Sequence, residues 1–355
     1  MISGLARTPD PDEERLGVSF SEFADSNTTR QAGFLGGAVL SLIARVREAG
    51  QLRSSNFPED LHLLDSTFLR LSLALAPWLP GHAGSEVPGV RLQIQYAPAL
   101  DLPEHVLITD TRTNDCQGLD QAILDNPHQL AQLKDQTLVV DLGYYSHARF
   151  ARLVAACVHF VSRLNSQARV QIEADLPVQQ SLPELDGHRI TVLSDQRVTI
   201  GSPNNRAGAL LKALRLVTSV VEPLPKATRH GAKPITYKVL TDRWNLDSID
   251  VVRLYLWRWQ IELFFRWLKS RVHLPRLLGY SRNAVELTVW LTLLVHLLSV
   301  LAAQAQGLTR RSPTLLSRLG LAISHLSPSD SDDPVPPPPT QLTFNIDPRF
   351  PDTPT

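Results

Sequence analysis

Cysteine is scarce in this chain: its 355 residues carry only Cys116 and Cys157, with no CxxC pair and no Cys/His spacing of the kind that zinc uses. A disulfide framework and a structural zinc site are thereby excluded, and a reducing cytoplasm, bacterial, is the expected compartment. Net charge is missing too, with 35 basic residues against 35 acidic ones. No global field draws the chain to nucleic acid or to an anionic membrane, so any polyanion must meet a local patch. The opening MISGLARTPDPDEERLG places acids where a signal peptide needs basic residues and then an apolar run, and export is not expected. No internal repeat is visible. Long uncharged apolar runs are also rare. One, LTVWLTLLVHLLSVLAA at residues 287–303, is 17 residues long. That is the short limit for spanning a bilayer, and no charge asymmetry flanks it, so a buried core helix is expected and no membrane partner.

What is present suits a globular protein. At 43% hydrophobic the chain can build one large domain with an insertion, or two. Residues 1–60 read as a small helical region with an amphipathic segment at 32–49. From residue 61 short β-like runs follow one another: LHLLDSTFLRLSL, VRLQIQYAP, HVLITDT and, after a helical stretch, QTLVVDLGYY, then a helix at 147–156. This pattern predicts an α/β layer over 61–165. Residues 166–245 alternate β signals (ARVQIEAD, HRITVLSD, QRVTIGS, ALRLVTSVVE, ITYKVLTD) with turn residues and predict an all-β insertion. Helices are expected again within 246–306, one from 248 to 270 and one from 283 to 306. Residues 307–355 contain SPSDSDDPVPPPP, too polar and too proline-rich to order itself, and predict a partly disordered tail.

The chemistry concentrates in YLWRWQIELFFRWLKS at residues 255–270. On a helical wheel Arg258, Glu262 and Lys269 fall within about 60° of Tyr255, while Leu254, Ile261, Phe264, Phe265 and Leu268 anchor the flanking and opposite arc. Taken alone, the stripe reads first as a surface in which Glu262 pairs with Arg258 and Arg266 at helical spacing, worth a few tenths of a kcal/mol per pair. Two further carboxylates change the weighting. Asp141 ends the run LVVD, and Asp65 lies inside the apolar run LHLLDST, where a buried carboxylate requires a partner, hydrogen bonds or a metal. Three carboxylates from two strands and a helix would repel one another unless cations offset them. Oxygen-only donors suit Mg²⁺ or Mn²⁺ and a two-metal phosphoryl-transfer site.

The spacing Tyr255-x2-Arg258-x3-Glu262-x6-Lys269 resembles the Y-R-E-K signature of DDE transposases of the bacterial insertion-sequence-four group. The words LLDST at Asp65, VDLGYYS at Asp141 and FVSRLN at 160–165 are similar as well, in blocks from about residue 20 to 303. The resemblance implies an RNase H-like mixed sheet flanked by helices, with the all-β insertion between the second Asp and the Glu. It implies Asp65, Asp141 and Glu262 as catalytic ligands of two Mg²⁺ or Mn²⁺ ions, and Tyr255, Arg258 and Lys269 as contacts to DNA phosphates. Arg266 and Arg163 are further DNA-binding candidates, Arg163 being equally suited to a structural ion pair. Residues 251–282 hold seven basic side chains against Glu262 alone, a patch able to neutralise phosphate despite the balanced total.

The implied reaction is hydrolysis at a transposon end followed by strand transfer from the freed 3′-OH, on double-stranded DNA and by a dimer assembled there. Tyr255 is expected to position, not to act as a nucleophile. Leu142 stands where the family commonly has Arg, and 64 residues precede Asp65, so a truncated copy that binds without transposing is one alternative. Another RNase H-like metal-dependent nuclease is a second, a membrane-anchored protein a third, and a carboxylate-pair sugar hydrolase, with no use for the basic stripe, the last. Trp244, near the exit of the insertion, is read as a packing residue ahead of a base-stacking one.

Overall fold

The computed structural model describes residues 32–48, 57–71, 76–79, 88–178, 188–201, 211–223, 233–270, 274, 277 and 279–305. The expected tail at 307–355, most of the N-terminal region including the block near residue 20, and Arg271 and Arg276 of the basic patch lie outside the described residues. In chain order the elements are α1 (Ala32–Glu48), β1 (Leu61–Arg70), β2 (Gly89–Ala97), β3 (Leu102–Asp110), α2 (Asp115–Leu119), α3 (Pro127–Gln132), β4 (Thr137–Val140), α4 (His147–Ala155), β5 (His159–Arg163), β6 (Val170–Asp175), β7 (His188–Ile200), β8 (Leu211–Pro223), β9 (Ile235–Thr241), α5 (Ser248–Trp257), α6 (Trp259–Ser270) and α7 (Arg282–Ala305).

Among the described residues nine strands join one mixed sheet in the order β3-β2-β1-β4-β5-β9-β8-β7-β6. The first three are antiparallel, as sequential hairpins allow, whereas β4 runs parallel to β1 and β5 parallel to β4. Parallel neighbours need crossovers, which α2 and α3 supply before β4 and α4 supplies before β5. This is the mixed α/β sheet flanked by helices that the resemblance implies. The four strands β6 to β9 that follow extend the same sheet: β9 pairs antiparallel with β5, and β8, β7 and β6 add outward from it.

The central strands are buried on both faces, so their side chains sort by parity into two cores. Leu61 and Leu63 of β1, Val139 of β4 and Val161 of β5 belong to the core shared with α1, α5, α6 and α7. Leu64, Leu138, Val140 and Phe160 belong to the opposite core, shared with Leu119, Leu133, Phe150 and Leu153. Helix α7 is the apolar run noted in the sequence. Over residues 282–303 it is long and apolar enough to cross a bilayer, yet 67% of its most apolar window is buried in the fold. Its His296 is fully buried, bonds the Asp101 carbonyl at 2.8 Å and sits edge-on to the rings of Phe264 and Trp267. The expectation of a core helix is met.

Three local expectations change. HRITVLSD and QRVTIGS are one 13-residue strand, β7, because register shifts at 192/194 and 198/200 absorb the irregularity that reads as a turn. The helix expected over 248–270 divides at Arg258, where the amides of Arg258 and Ile261 bond the carbonyls of Tyr255 and Arg258, three residues back. That tighter turn separates α5 from α6. Trp244 is 44% exposed, with the Arg197 guanidinium 5.7 Å from its ring centroid, so it is not the buried packing residue expected.

Candidate active site

Strand parity decides where the aspartates point. Asp65 follows Leu64 on β1 and Asp141 follows Val140 at the end of β4, and Leu64 and Val140 are register partners in the parallel pair. Asp65 and Asp141 are therefore adjacent. Both share parity with Leu63 and Val139, so both face the helical layer that contains α5 and α6. A shift of one residue in either strand would turn its carboxylate to the opposite core.

Glu262 comes to them on the first turn of α6, which is held down by buried Ile261, Phe264, Phe265 and Leu268. Phe264 stacks on Tyr96 of β2 at 4.9 Å between centroids, which fixes the helix against the sheet. The three carboxylates then meet on one cation. Arg258 places Nη2 2.7 Å from Glu262, Nη1 3.4 Å from Asp65 and Nε 3.7 Å from Asp141. Its side chain is 15% exposed. The Tyr255 hydroxyl donates to Asp141 Oδ1 at 3.1 Å, and the Ser66 amide donates to Asp65 Oδ1 at 2.7 Å.

Three acids around one guanidinium leave an excess of negative charge in a poorly hydrated place. Burial, with smaller contributions from Asp141 and Glu262, raises the Asp65 carboxyl from 3.8 to about 7, more than Arg258 and the Ser66 amide can offset. Glu262 is also raised, first by burial, although Arg258 pulls it down. Burial opposes the charge on Arg258, but Asp141, Tyr255, Glu262 and Asp65 together hold it above the ordinary arginine range. Burial keeps the Tyr255 phenol far from ionisation.

The site opens into a cleft of about 590 Å³ lined by Asp65, Ser66, Thr67, Glu262, Phe265, Arg266, Lys269 and Ser270. Arg266 and Lys269 thus stand on its rim. Arg266 lies 5.7 Å from the Trp259 ring centroid, and partial burial lowers the Lys269 amine. Arg163 sits on the other side, over the Tyr237 ring at 5.5 Å. Tyr237 in turn meets Tyr255 at 5.8 Å. The structure brings all eight sequence-derived residues into one neighbourhood, Arg163 through its contact with the Tyr237 ring.

Tyr237 is the residue that sequence reading missed. Burial raises its phenol, and the charges of Arg163, Arg258, Asp141 and Glu262 all reach it. Its one signal was its place in ITYKVLT, an alternating strand in which Tyr237 and Val239 share a face.

The donor set fits a hard divalent cation in kind: three carboxylates, oxygen only, with surplus negative charge. It does not yet fit in spacing. Among the described residues no three acidic, His or Cys side chains stand close enough to ligate one ion. The carboxylates are spread around Arg258 instead.

A family model described as the transposase DDE domain matches residues 56–298. A putative transposase, y4zB, of Sinorhizobium fredii is 27% identical over 265 residues, which cover 74% of this chain and 67% of that protein. A probable transposase for insertion sequence element IS5377 of Geobacillus stearothermophilus is 28% identical over 247 residues, covering 70% of this chain and 58% of that protein.

Proposed function

The chain belongs to the transposase DDE domain family, and from that premise we propose that it cuts and joins DNA at the ends of an insertion sequence of the insertion-sequence-four group. The observation that carries this reading is the gathering of Asp65, Asp141 and Glu262 on one guanidinium beside a cleft rimmed by Arg266 and Lys269. Residues 61–165 and 246–306 form the catalytic core in this reading, and 166–245 are its insertion.

The reaction is hydrolysis of a phosphodiester at the element's end, followed by attack of the freed 3′-OH on target DNA. Two ends must be brought together, so a dimer on double-stranded DNA is the working form, in a bacterial cytoplasm. Asp65, Asp141 and Glu262 are the residues that would hold two Mg²⁺ or Mn²⁺ ions, which when bound supply Lewis acidity and charge neutralisation at the phosphate. For them to do so Arg258 must leave the centre of the carboxylates. Its fork then suits a phosphate on the cleft side, so that DNA and the acidic cluster each receive a cation. Lys269 and Arg266 offer further charge to the strand entering the cleft. Tyr255 orients Asp141 through its hydroxyl, and a phenol so far from ionisation is a poor nucleophile. In this reading Arg163 and Tyr237, which border the same site, meet the DNA backbone.

The test is incubation of the purified chain with labelled duplexes carrying the element's terminal repeats in Mg²⁺ or Mn²⁺. Cleavage and joined strand-transfer products are expected, with Asp65→Asn, Asp141→Asn and Glu262→Gln each losing at least about a thousandfold while keeping DNA affinity. Cleavage without joining would indicate a nuclease on the same fold. Binding without cleavage would indicate an inactive copy.

A further inference from the structure

Asp115 lies outside the carboxylate cluster, at the start of α2, and touches both of the segments that carry the aspartates. On one side its Oδ1 accepts from the Ser66 hydroxyl at 2.9 Å, and the Ser66 amide is the group that donates to Asp65 Oδ1 at 2.7 Å. On the other side its Oδ2 lies against Gly143, in the tight turn Leu142–Tyr144 that follows Asp141. A Cβ at Gly143 would come within 2.6 Å of that oxygen, so any larger residue there would have to displace the Asp115 carboxylate.

Asp115 itself is held from several directions. Arg91 of β2 donates through Nη1 to Asp115 Oδ1 at 2.8 Å and to the Ser66 hydroxyl at 3.0 Å. Asn114 and Gln117 form a reciprocal cap that fixes the first turn of α2. Next to Asp115, the Cys116 thiol reaches the Gly143 carbonyl at 3.5 Å. Gln93, also on β2, accepts from the Tyr144 hydroxyl at 2.7 Å, and its amide leaves no room for a Cβ on Gly118 of α2. Strand β2 therefore braces α2 and both aspartate-bearing segments together.

Resting on the transposase reading, we infer that Asp115 is a positioning residue that sets the separation and orientation of Asp65 and Asp141 through Ser66 and the Gly143 turn. Its carboxylate is occupied by Ser66 and Arg91, so it acts through its neighbours and not on substrate. Residues that orient ion ligands in this way typically change ion affinity or activity by about 10- to 100-fold.

The test compares wild type, Asp115→Ala, Asp115→Asn and Ser66→Ala. Three readouts are needed: free Mn²⁺ measured by electron paramagnetic resonance in a titration, the cleavage rate at saturating duplex, and duplex affinity. Asp115→Ala is expected to weaken Mn²⁺ uptake and slow cleavage by about tenfold or more, with duplex affinity within about twofold. Asp115→Asn keeps an acceptor for the Ser66 hydroxyl and should recover most of the loss. Ser66→Ala leaves the Asp115–Arg91 pair intact and should weaken Mn²⁺ uptake by several fold, which keeps the test decisive where Asp115→Ala does not fold. Unchanged Mn²⁺ affinity in a folded Asp115→Ala, or in Ser66→Ala if the former does not fold, overturns the inference while leaving the transposase reading intact. A wild-type chain that neither takes up Mn²⁺ nor cleaves overturns both.

Discussion

Burial makes the Asp65 carboxylate costly to keep charged, and replacing it with asparagine should stabilise the ion-free protein. An acid whose folded pKa is raised keeps its proton where the unfolded chain has already lost it. Its full contribution to stability is present below 3.8, declines as pH rises, and is gone above about 7. At about 1.4 kcal/mol for each tenfold change in proton affinity, a carboxyl moved from 3.8 to about 7 costs the folded state roughly 4 kcal/mol at pH 8. The Asp65 side chain is 18% exposed, which leaves only a modest discount for solvent screening. Asp65→Asn should therefore gain about 3 to 4 kcal/mol at pH 8 and only about 0.5 kcal/mol at pH 4. Urea denaturation of both proteins in chelator at the two pH values measures this directly. A gain of equal size at pH 4 and pH 8, or none at pH 8, would refute the picture of a buried, mutually repelling cluster. Activity should be lost in the variant that is more stable, as expected of strained functional sites.

Arg258→Gln removes a cation that the three acids share, and should destabilise the ion-free chain by about 2 to 4 kcal/mol at pH 8, with Mg²⁺ recovering part of the loss in a thermal melt. Tyr255→Phe keeps the ring but drops the bond to Asp141; a stability change of about 1 kcal/mol and a roughly tenfold slower cleavage are expected, measured by denaturation and single-turnover kinetics. Replacing both Arg266 and Lys269 by alanine should lower the slope of log affinity against log salt by about 1.8 for a non-cognate duplex, seen by fluorescence anisotropy across a salt series.

Asp65 was legible in sequence because it sits inside an apolar β run where charge is out of keeping; Asp141, at a strand end where a turn former is the commoner reading, was singled out by the resemblance, and the parallel register makes the two neighbours. Glu262, Arg258 and Lys269 were legible as one stripe because their spacing follows the helical period, and the break at Arg258 does not disperse them. What the sequence could not disclose depends on tertiary contact. No local pattern says that one guanidinium will meet three acids, or that Tyr237 on a distant strand will abut Tyr255. Asp115, in TNDCQGLD, reads as an ordinary helix start, and its contacts with Ser66 and Gly143 arise only when the sheet brings β1 and the end of β4 together. Trp244 misled because large aromatic side chains are more often buried, yet this one lies under a guanidinium at the surface.

The central claim is that Asp65, Asp141 and Glu262 exchange Arg258 for divalent ions. The most direct measurement is an anomalous difference map from crystals of the chain grown with Mn²⁺ and a duplex end. The account expects ion peaks at about 2.1 Å from oxygens of the three carboxylates, with the Arg258 guanidinium turned to a phosphate. Peaks elsewhere, with Arg258 still bound to all three acids, would contradict it.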